Sequence, residues 1–190
     1  MTRDSAVTDD LPRKLAQQRF SDLYRDHARG LLGYALRRSA DPDDAADVVA
    51  ETFLVAWRRL DQVPLGDKAR LWLFGTARNV LANQARGARR RDRLTERLRD
   101  DLHRELPAHR APAPNPLVEA LAELGEADRE LLTLIGWEEL TPSEAAQVLG
   151  ISPFVARTRL HRARRRLRAR LATQSSANSC NAEIGVEEAR

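Results

Sequence analysis

The chain has 190 residues, a net charge of +4 and a sequence pI near 9.9, and this length allows one or two small domains. Cys180 is the only cysteine, which excludes an internal disulfide and a zinc site built on several cysteines. No stretch approaches the roughly 18 apolar residues of a membrane span, and the N-terminus has no apolar signal core. We therefore expect a cytoplasmic protein with no membrane contact of its own.

Apolar residues near the N-terminus recur at spacings of three and four, which is typical of an amphipathic helix. We expect residues 1–17 to form a flexible N-terminus, because they are mostly polar. The apolar periodicity predicts a helix from about Lys14 to Arg38. The predicted inward positions of this helix are Phe20, Leu23, Tyr24, Ala28, Leu31, Leu32, Ala35 and Leu36.

Asp41 and Pro42 predict the start of a second helix, as its N-cap and its first helical position. The residues that we expect to face inward from it are Ala46, Val49, Ala50, Phe53, Leu54 and Trp57. Residues 61–67 contain a proline and a glycine and are predicted to form a loop. A third helix follows over about 68–86.

Residues 92–116 separate two predicted domains, 18–91 and 117–172, and begin with a weakly amphipathic helix that contains Leu94, Leu98 and Leu102. Four prolines within 107–116 cannot occupy a helix interior, so we expect a flexible linker that includes a semi-stiff, extended spacer. The polar tail, 173–190, is expected to be disordered. The helices predicted in the second domain lie near 117–123, 127–137, 142–149 and 153–171. No segment alternates apolar and polar residues with period two, as a β-strand would. The predicted fold is therefore all-α, with two small helical domains.

A helix-turn-helix is the clearest local signal in the second domain. Thr141 and Glu144 fit a capping box at the start of one helix, and Gly150 suits the left-handed turn that ends it. Ser152 can cap a second helix, eleven residues after the first cap. The predicted core of the motif consists of Ala145, Val148, Leu149, Ile151 and Val155. The second helix of such a motif enters the DNA major groove, and the whole domain is predicted to be a winged-helix-like four-helix unit.

Eight arginines lie between Arg157 and Arg170, with no acid among them. A run of like charge repels itself unless it meets phosphate, so this run indicates a nucleic-acid partner. The alternative is a solvated amphipathic helix whose leucines, Leu160, Leu167 and Leu171, face a core. The helix-turn-helix directly before the run favours DNA binding.

Four carboxylates lie on the first turns of the second helix: Asp43, Asp44, Asp47 and Glu51. They suit the helix dipole and offer an acidic surface to a basic partner, although ordinary helix-terminal acids would have the same pattern. A nuclease-like metal site would usually add a histidine or a distant carboxylate, and neither is evident in the sequence. We therefore expect no enzyme activity, no metal and no cofactor.

The most specific runs of the chain are Phe20-x-x-Leu23-Tyr24, the runs 41–57 and 72–79, and Leu149-Gly150-Ile151-Ser152 followed by 157–164. Taken together, they resemble the extracytoplasmic-function (ECF) group of the sigma-70 family, the two-domain factors that direct bacterial RNA polymerase to promoters. Two such blocks in the right order are far more specific than a helix-turn-helix alone. The alternative is a helix-turn-helix transcriptional regulator that does not bind core polymerase.

The resemblance implies three partners: core RNA polymerase, promoter DNA and an anti-sigma factor. Domain two, 18–91, would dock on polymerase through Asp43, Asp44, Asp47 and Glu51. The helix after residue 71 would read and melt the −10 element with Asn79, Asn83, Arg86 and Arg89. Domain four, 117–172, would read the −35 element with Phe154, Arg157, Thr158, Arg159, His161 and Arg162.

Some of these assignments leave alternatives open. Asn79 also fits a plain surface position of a helix. Phe154 replaces the small residue, such as glycine, that many family members have there, so it either touches a thymine methyl or packs against the DNA backbone. The Gln62–Lys68 loop matches the loop that binds an unstacked base in this family. Which base it accepts is left open. Trp57 and Trp72 are expected to be core residues rather than stacking platforms.

Overall fold

The computed structural model describes residues 5–39, 41–99 and 115–187, and describes side chains at 13–39, 41–87 and 115–174. Within these ranges every regular element is an α-helix, so the predicted all-α fold is confirmed. None of the described helices combines the length and apolarity needed to cross a membrane. The chain divides into two compact units, Met1–His103 and Arg104–Arg190.

Among the described residues, three helices form the first unit and four form the second. In chain order they are α1 (Ser5–Leu36), α2 (Pro42–Arg58), α3 (Lys68–Arg99), α4 (Pro116–Ala122), α5 (Glu126–Gly136), α6 (Pro142–Leu149) and α7 (Pro153–Glu187). In the first unit each helix packs against the other two. In the second unit α7 packs against α4, α5 and α6, which fixes the position of the helix predicted to enter DNA.

Three helices extend beyond their predicted ends. α1 begins at Ser5, inside the segment 1–17 that we expected to be flexible, and α3 continues without a break to Arg99, into the weakly amphipathic helix predicted at the start of the linker. α7 continues to Glu187, through most of the tail 173–190 that we expected to be disordered. Polar composition argues against burial, but an established helix extends by one hydrogen bond per residue at little cost. The prolines predicted to form the spacer fall mainly in 100–114, outside the described residues.

The core of the first unit is built from one face of each helix. Leu31 and Tyr34 of α1, Val48 of α2 and Leu73 of α3 are among the largest fully buried side chains. The ring of Tyr34 stacks on that of Phe74, with centroids 5.0 Å apart. Burying an apolar side chain of this size contributes about 1.5–3 kcal/mol, so these contacts hold α3 against α1.

The inward face of α2 differs from the predicted one. Its buried residues are Ala45, Val48, Thr52, Phe53 and Ala56. Leu54 and Trp57, both predicted to face inward, are 46% and 43% exposed, and Ala46 and Ala50 are exposed as well. Two of the buried residues, Ala45 and Ala56, are small, which permits α2 to approach its neighbours closely, whereas Leu54 and Trp57 lie at the edge. The prediction that Trp57 is a core residue is therefore wrong.

The helix-turn-helix has the predicted caps. The backbone N–H of Thr141 donates to Glu144 Oε2 at 2.8 Å, and the N–H of Glu144 donates to Thr141 Oγ1 at 3.3 Å. Gly150 ends α6 in the left-handed conformation with φ of +66°, which favours glycine. Ser152 Oγ then accepts from the N–H of Val155 at 3.2 Å, and this bond starts α7.

The core of this motif agrees only in part with the predicted one. Ala145 and Val148 are buried, but Val155 is 41% exposed. Its expected place in the core is taken by Ala156, and Leu160 lies below it one turn later, 5% exposed. The part of the second unit that the structure describes contains no strand, so the four helices have no β-wing beside them there.

Candidate nucleic-acid interface

The first turns of α7 present one continuous face to solvent. Phe154, Arg157 and His161 are exposed at spacings of three and four, and Thr158 is half-buried beside them. Pro153 occupies the first helical position, so this face lies at the N-terminal end of the helix. In a helix-turn-helix that end contacts base edges. The remaining predicted contact residues lie on the flanks, with Arg162 exposed and Arg159 half-buried.

An open groove continues along the same face of α7. Its lining residues are Arg157, Leu160, His161, Arg164, Arg165 and Arg168, and its volume is about 340 Å³. Four of the six are arginines, and none is acidic. Because arginine forks match phosphate geometry, the groove suits the DNA backbone next to the bases that the helix start would read.

Two arginines of the same run face other helices instead. Arg166 Nη1 forms an ion pair with Asp128 Oδ2 at 2.5 Å, and Arg170 Nη1 forms one with Glu123 Oε2 at 2.7 Å. The Asp128 side chain is only 12% exposed. The run therefore includes one set that lines the groove and another that attaches α7 to its own unit. Sequence inspection missed this division because the acids lie 38 and 47 residues away.

α3 carries a second polar face. Asn79, Asn83 and Arg86 are exposed at spacings of four and three, and Arg86 Nη2 donates to Asn83 Oδ1. The opposite face buries Ala77 and Val80 in the core, so the polar face points outward. Asparagine and arginine can hydrogen-bond both base edges and phosphates. The side chain of the fourth predicted residue, Arg89, lies outside the described side chains.

The loop between α2 and α3 is anchored at both ends and exposes an apolar tip. Val63 is 3% exposed, and its carbonyl accepts a hydrogen bond from Arg19 Nη2. The N–H of Ala69 donates to the carbonyl of Gly66 at 2.9 Å, and Gly66 has a φ of +63°. Between them Leu65 is 77% exposed. Sequence reasoning did not select Leu65, although a leucine between a proline and a glycine was a usable signal.

The four predicted carboxylates of α2 form an exposed acidic face. Asp43, Asp44, Asp47 and Glu51 are all exposed, and Asp41 Oδ1 caps the helix by accepting from the N–H of Asp43 at 2.7 Å. Leu54 follows Glu51 by three residues, so it adds an apolar contact to this face. Among the described residues no three His, Cys, Asp or Glu side chains converge as metal ligands would.

Comparison with known proteins relates both parts of the chain to one protein family. The family Sigma-70 region 2 matches residues 23–91, and Sigma-70, region 4 matches residues 115–167. The ECF RNA polymerase sigma factor SigL of Mycobacterium tuberculosis is 33% identical over 152 residues, covering 77% of this chain and 85% of SigL. The chain belongs to the ECF group of RNA polymerase sigma factors. In this sigma factor the region 4 match includes the whole helix-turn-helix.

Further relatives match most of this chain. The RNA polymerase sigma factor CarQ of Myxococcus xanthus is 31% identical to this sigma factor over 159 residues, covering 80% of this chain and 89% of CarQ. Among solved structures, RpoE of Bartonella quintana, in complex with the anti-sigma factor NepR, has a TM-score of 0.60 at 27% identity, covering 80% of this chain and 96% of RpoE. CnrH in complex with the cytosolic domain of CnrY has a TM-score of 0.57 at 26% identity, covering 85% and 97%.

The two matched regions also bear on the rival function. A helix-turn-helix regulator that does not bind polymerase would explain the region 4 match, but it would leave the region 2 match over α2 and α3 without a role. The family membership therefore favours an initiation factor over such a regulator.

Proposed function

We propose that this sigma factor docks on core RNA polymerase through α2 and reads its promoters through two separate helices, α3 and α7. The observation that carries the proposal is the occurrence of region 2 and region 4 in one chain, each with an exposed face of suitable chemistry. The factor acts in initiation, and the polymerase performs the chemistry of RNA synthesis.

The docking surface consists of Asp43, Asp44, Asp47 and Glu51, with Leu54 beside them. Complementary charge steers a basic partner and sets its orientation, while an apolar contact among the charges adds burial. Leu54 supports this assignment because it is 46% exposed on the same face, so that it is not a residue of the buried core.

Promoter reading is divided between the two units. Asn79, Asn83, Arg86 and Arg89 are assigned to the element that is melted, with the loop around Leu65 as the receptor of an unstacked base. Extruding a base costs a few kcal/mol, so the receptor must offset that cost with contacts to the base. An exposed leucine supplies one apolar contact. Phe154, Arg157, Thr158, Arg159, His161 and Arg162 are assigned to the upstream element as duplex DNA.

An anti-sigma factor is the third proposed partner. RpoE and CnrH, whose folds this chain shares, were each solved with such a regulator or its cytosolic domain. Since polymerase and DNA are the other two partners, we assign the protein to the cytoplasm.

A reconstituted holoenzyme tests the docking assignment. The double variant Asp47→Lys, Glu51→Lys should lower affinity for core polymerase and abolish specific run-off transcription. It should still fold, because exposed substitutions change stability by less than about 0.5 kcal/mol. The matched control, Asp61→Lys with Glu119→Lys, makes the same charge change at exposed acids that lie outside α2. Equal affinity of both double variants for polymerase would contradict the assignment.

A further inference from the structure

Phe154 is the most exposed aromatic side chain that the structure describes. It is 71% exposed, compared with 51% for Tyr24 and 43% for both Trp57 and Trp137. A side chain this exposed contributes little to folding, because most of its apolar area stays in water. Ser152 Oγ caps the helix start that bears Phe154 by accepting from the N–H of Val155. The ring is therefore exposed on a capped helix rather than on an irregular chain end.

The position of Phe154 puts it ahead of the polar contact residues. It shares one helix face with Arg157, Thr158 and His161, which follow at three, four and seven residues. Side chains of a helix tilt toward its N-terminus, so the ring projects beyond Arg157 at the end that enters the major groove. The core side of α7 is occupied by Ala156 and Leu160 instead.

The chemistry of the ring limits what it can recognise in that groove. Phenylalanine donates and accepts no ordinary hydrogen bond, so it cannot read the amino, carbonyl or N7 groups of the bases, and it has no charge for phosphate. Thymine alone among the four bases presents a methyl group in the major groove, and apolar side chains contact it. We propose that Phe154 reads the 5-methyl group of one thymine in the upstream promoter element and thereby sets specificity at that base pair. This inference rests on the proposed reading of duplex DNA by α7.

The test uses the full-length protein with core polymerase. A promoter is first selected by the wild-type holoenzyme from a library with a randomised upstream element. Each thymine of the selected element, on both strands, is then replaced by deoxyuridine, which removes only the methyl group. Wild-type affinity should fall about fourfold at one thymine, the equivalent of about 0.8 kcal/mol for one buried methyl group.

Variants connect that methyl group to Phe154. Phe154→Ala should bind the thymine and deoxyuridine promoters equally at this position, and Phe154→Leu should retain part of the difference. Trp137→Ala, which removes another exposed aromatic of the same unit outside α7, should keep the full difference. Unchanged thermal unfolding of Phe154→Ala, expected for so exposed a residue, separates lost contact from lost fold.

Three results would overturn the inference: no thymine of the selected element is sensitive to deoxyuridine, Phe154→Ala keeps the wild-type discrimination, or Phe154→Ala lowers affinity for core polymerase in the absence of DNA. The last would assign the ring to a protein partner. A wild-type holoenzyme that selects no upstream sequence would contradict the proposed function as well, so the two failures are distinguishable.

Discussion

Two adjacent arginines of α7, Arg165 and Arg166, have different surroundings, so their substitution by alanine should have different effects. Arg166 pairs with the largely buried Asp128, whereas Arg165 lines the groove. Arg166→Ala should lower the unfolding free energy by about 1–3 kcal/mol, because it leaves the Asp128 carboxylate without its cation. Arg165→Ala should leave stability within about 0.5 kcal/mol but reduce the salt slope of promoter binding by about one. Thermal unfolding measures the stability of each variant, and promoter binding at several salt concentrations measures the salt slope. Equal melting temperatures of the two variants would contradict the different roles of Arg165 and Arg166.

Asn79 and Arg157 should act at different steps of initiation. Arg157→Ala should cost about 1–3 kcal/mol in binding to duplex promoter and relax preference in the upstream element. Asn79→Ala should spare that binding and reduce strand opening, because its base is exposed only after the duplex parts. Binding assays with permanganate footprinting measure the two steps. If Asn79→Ala abolished duplex binding but left melting per bound complex normal, the assignment of α3 to opening would be wrong.

At the scale of one element, the start of α6 depends on a single capping box. Thr141→Ala removes the acceptor for the N–H of Glu144 and should lower the unfolding free energy by about 0.5–2 kcal/mol. Ser143→Ala changes an exposed neighbour in the same turn and should have little effect. Thermal unfolding of the two variants beside the wild type gives the comparison, and similar losses in both would argue against the cap as the cause.

α2 illustrates why one helix face could not be chosen from periodicity. Apolar residues occur around most of its circumference, so both the predicted stripe and the observed one satisfy a helical spacing. Packing selected the stripe with Ala45 and Ala56, whose small side chains permit close approach. As a result, Leu54 lies beside the exposed carboxylates rather than in the predicted core.

For the whole molecule, the sequence predicts a proline-rich spacer between the two units. Since α3 remains helical to Arg99, brief trypsin treatment should cut first between Arg99 and Pro116, before either unit is degraded. Mass spectrometry of the early fragments checks this. Equal resistance along the chain would contradict a separate spacer.

The sequence by itself determined the all-α class, the order of the two blocks and the helix-turn-helix. Those features depend on caps, prolines and Gly150, whose effects act within a few residues and can be read locally. Only the tertiary structure decided which arginines of α7 line the groove and which face of α2 is buried. The physical reason is that Asp128 and Glu123 reach Arg166 and Arg170 from distant positions in the chain, and the buried face of α2 depends on its fit to α1 and α3.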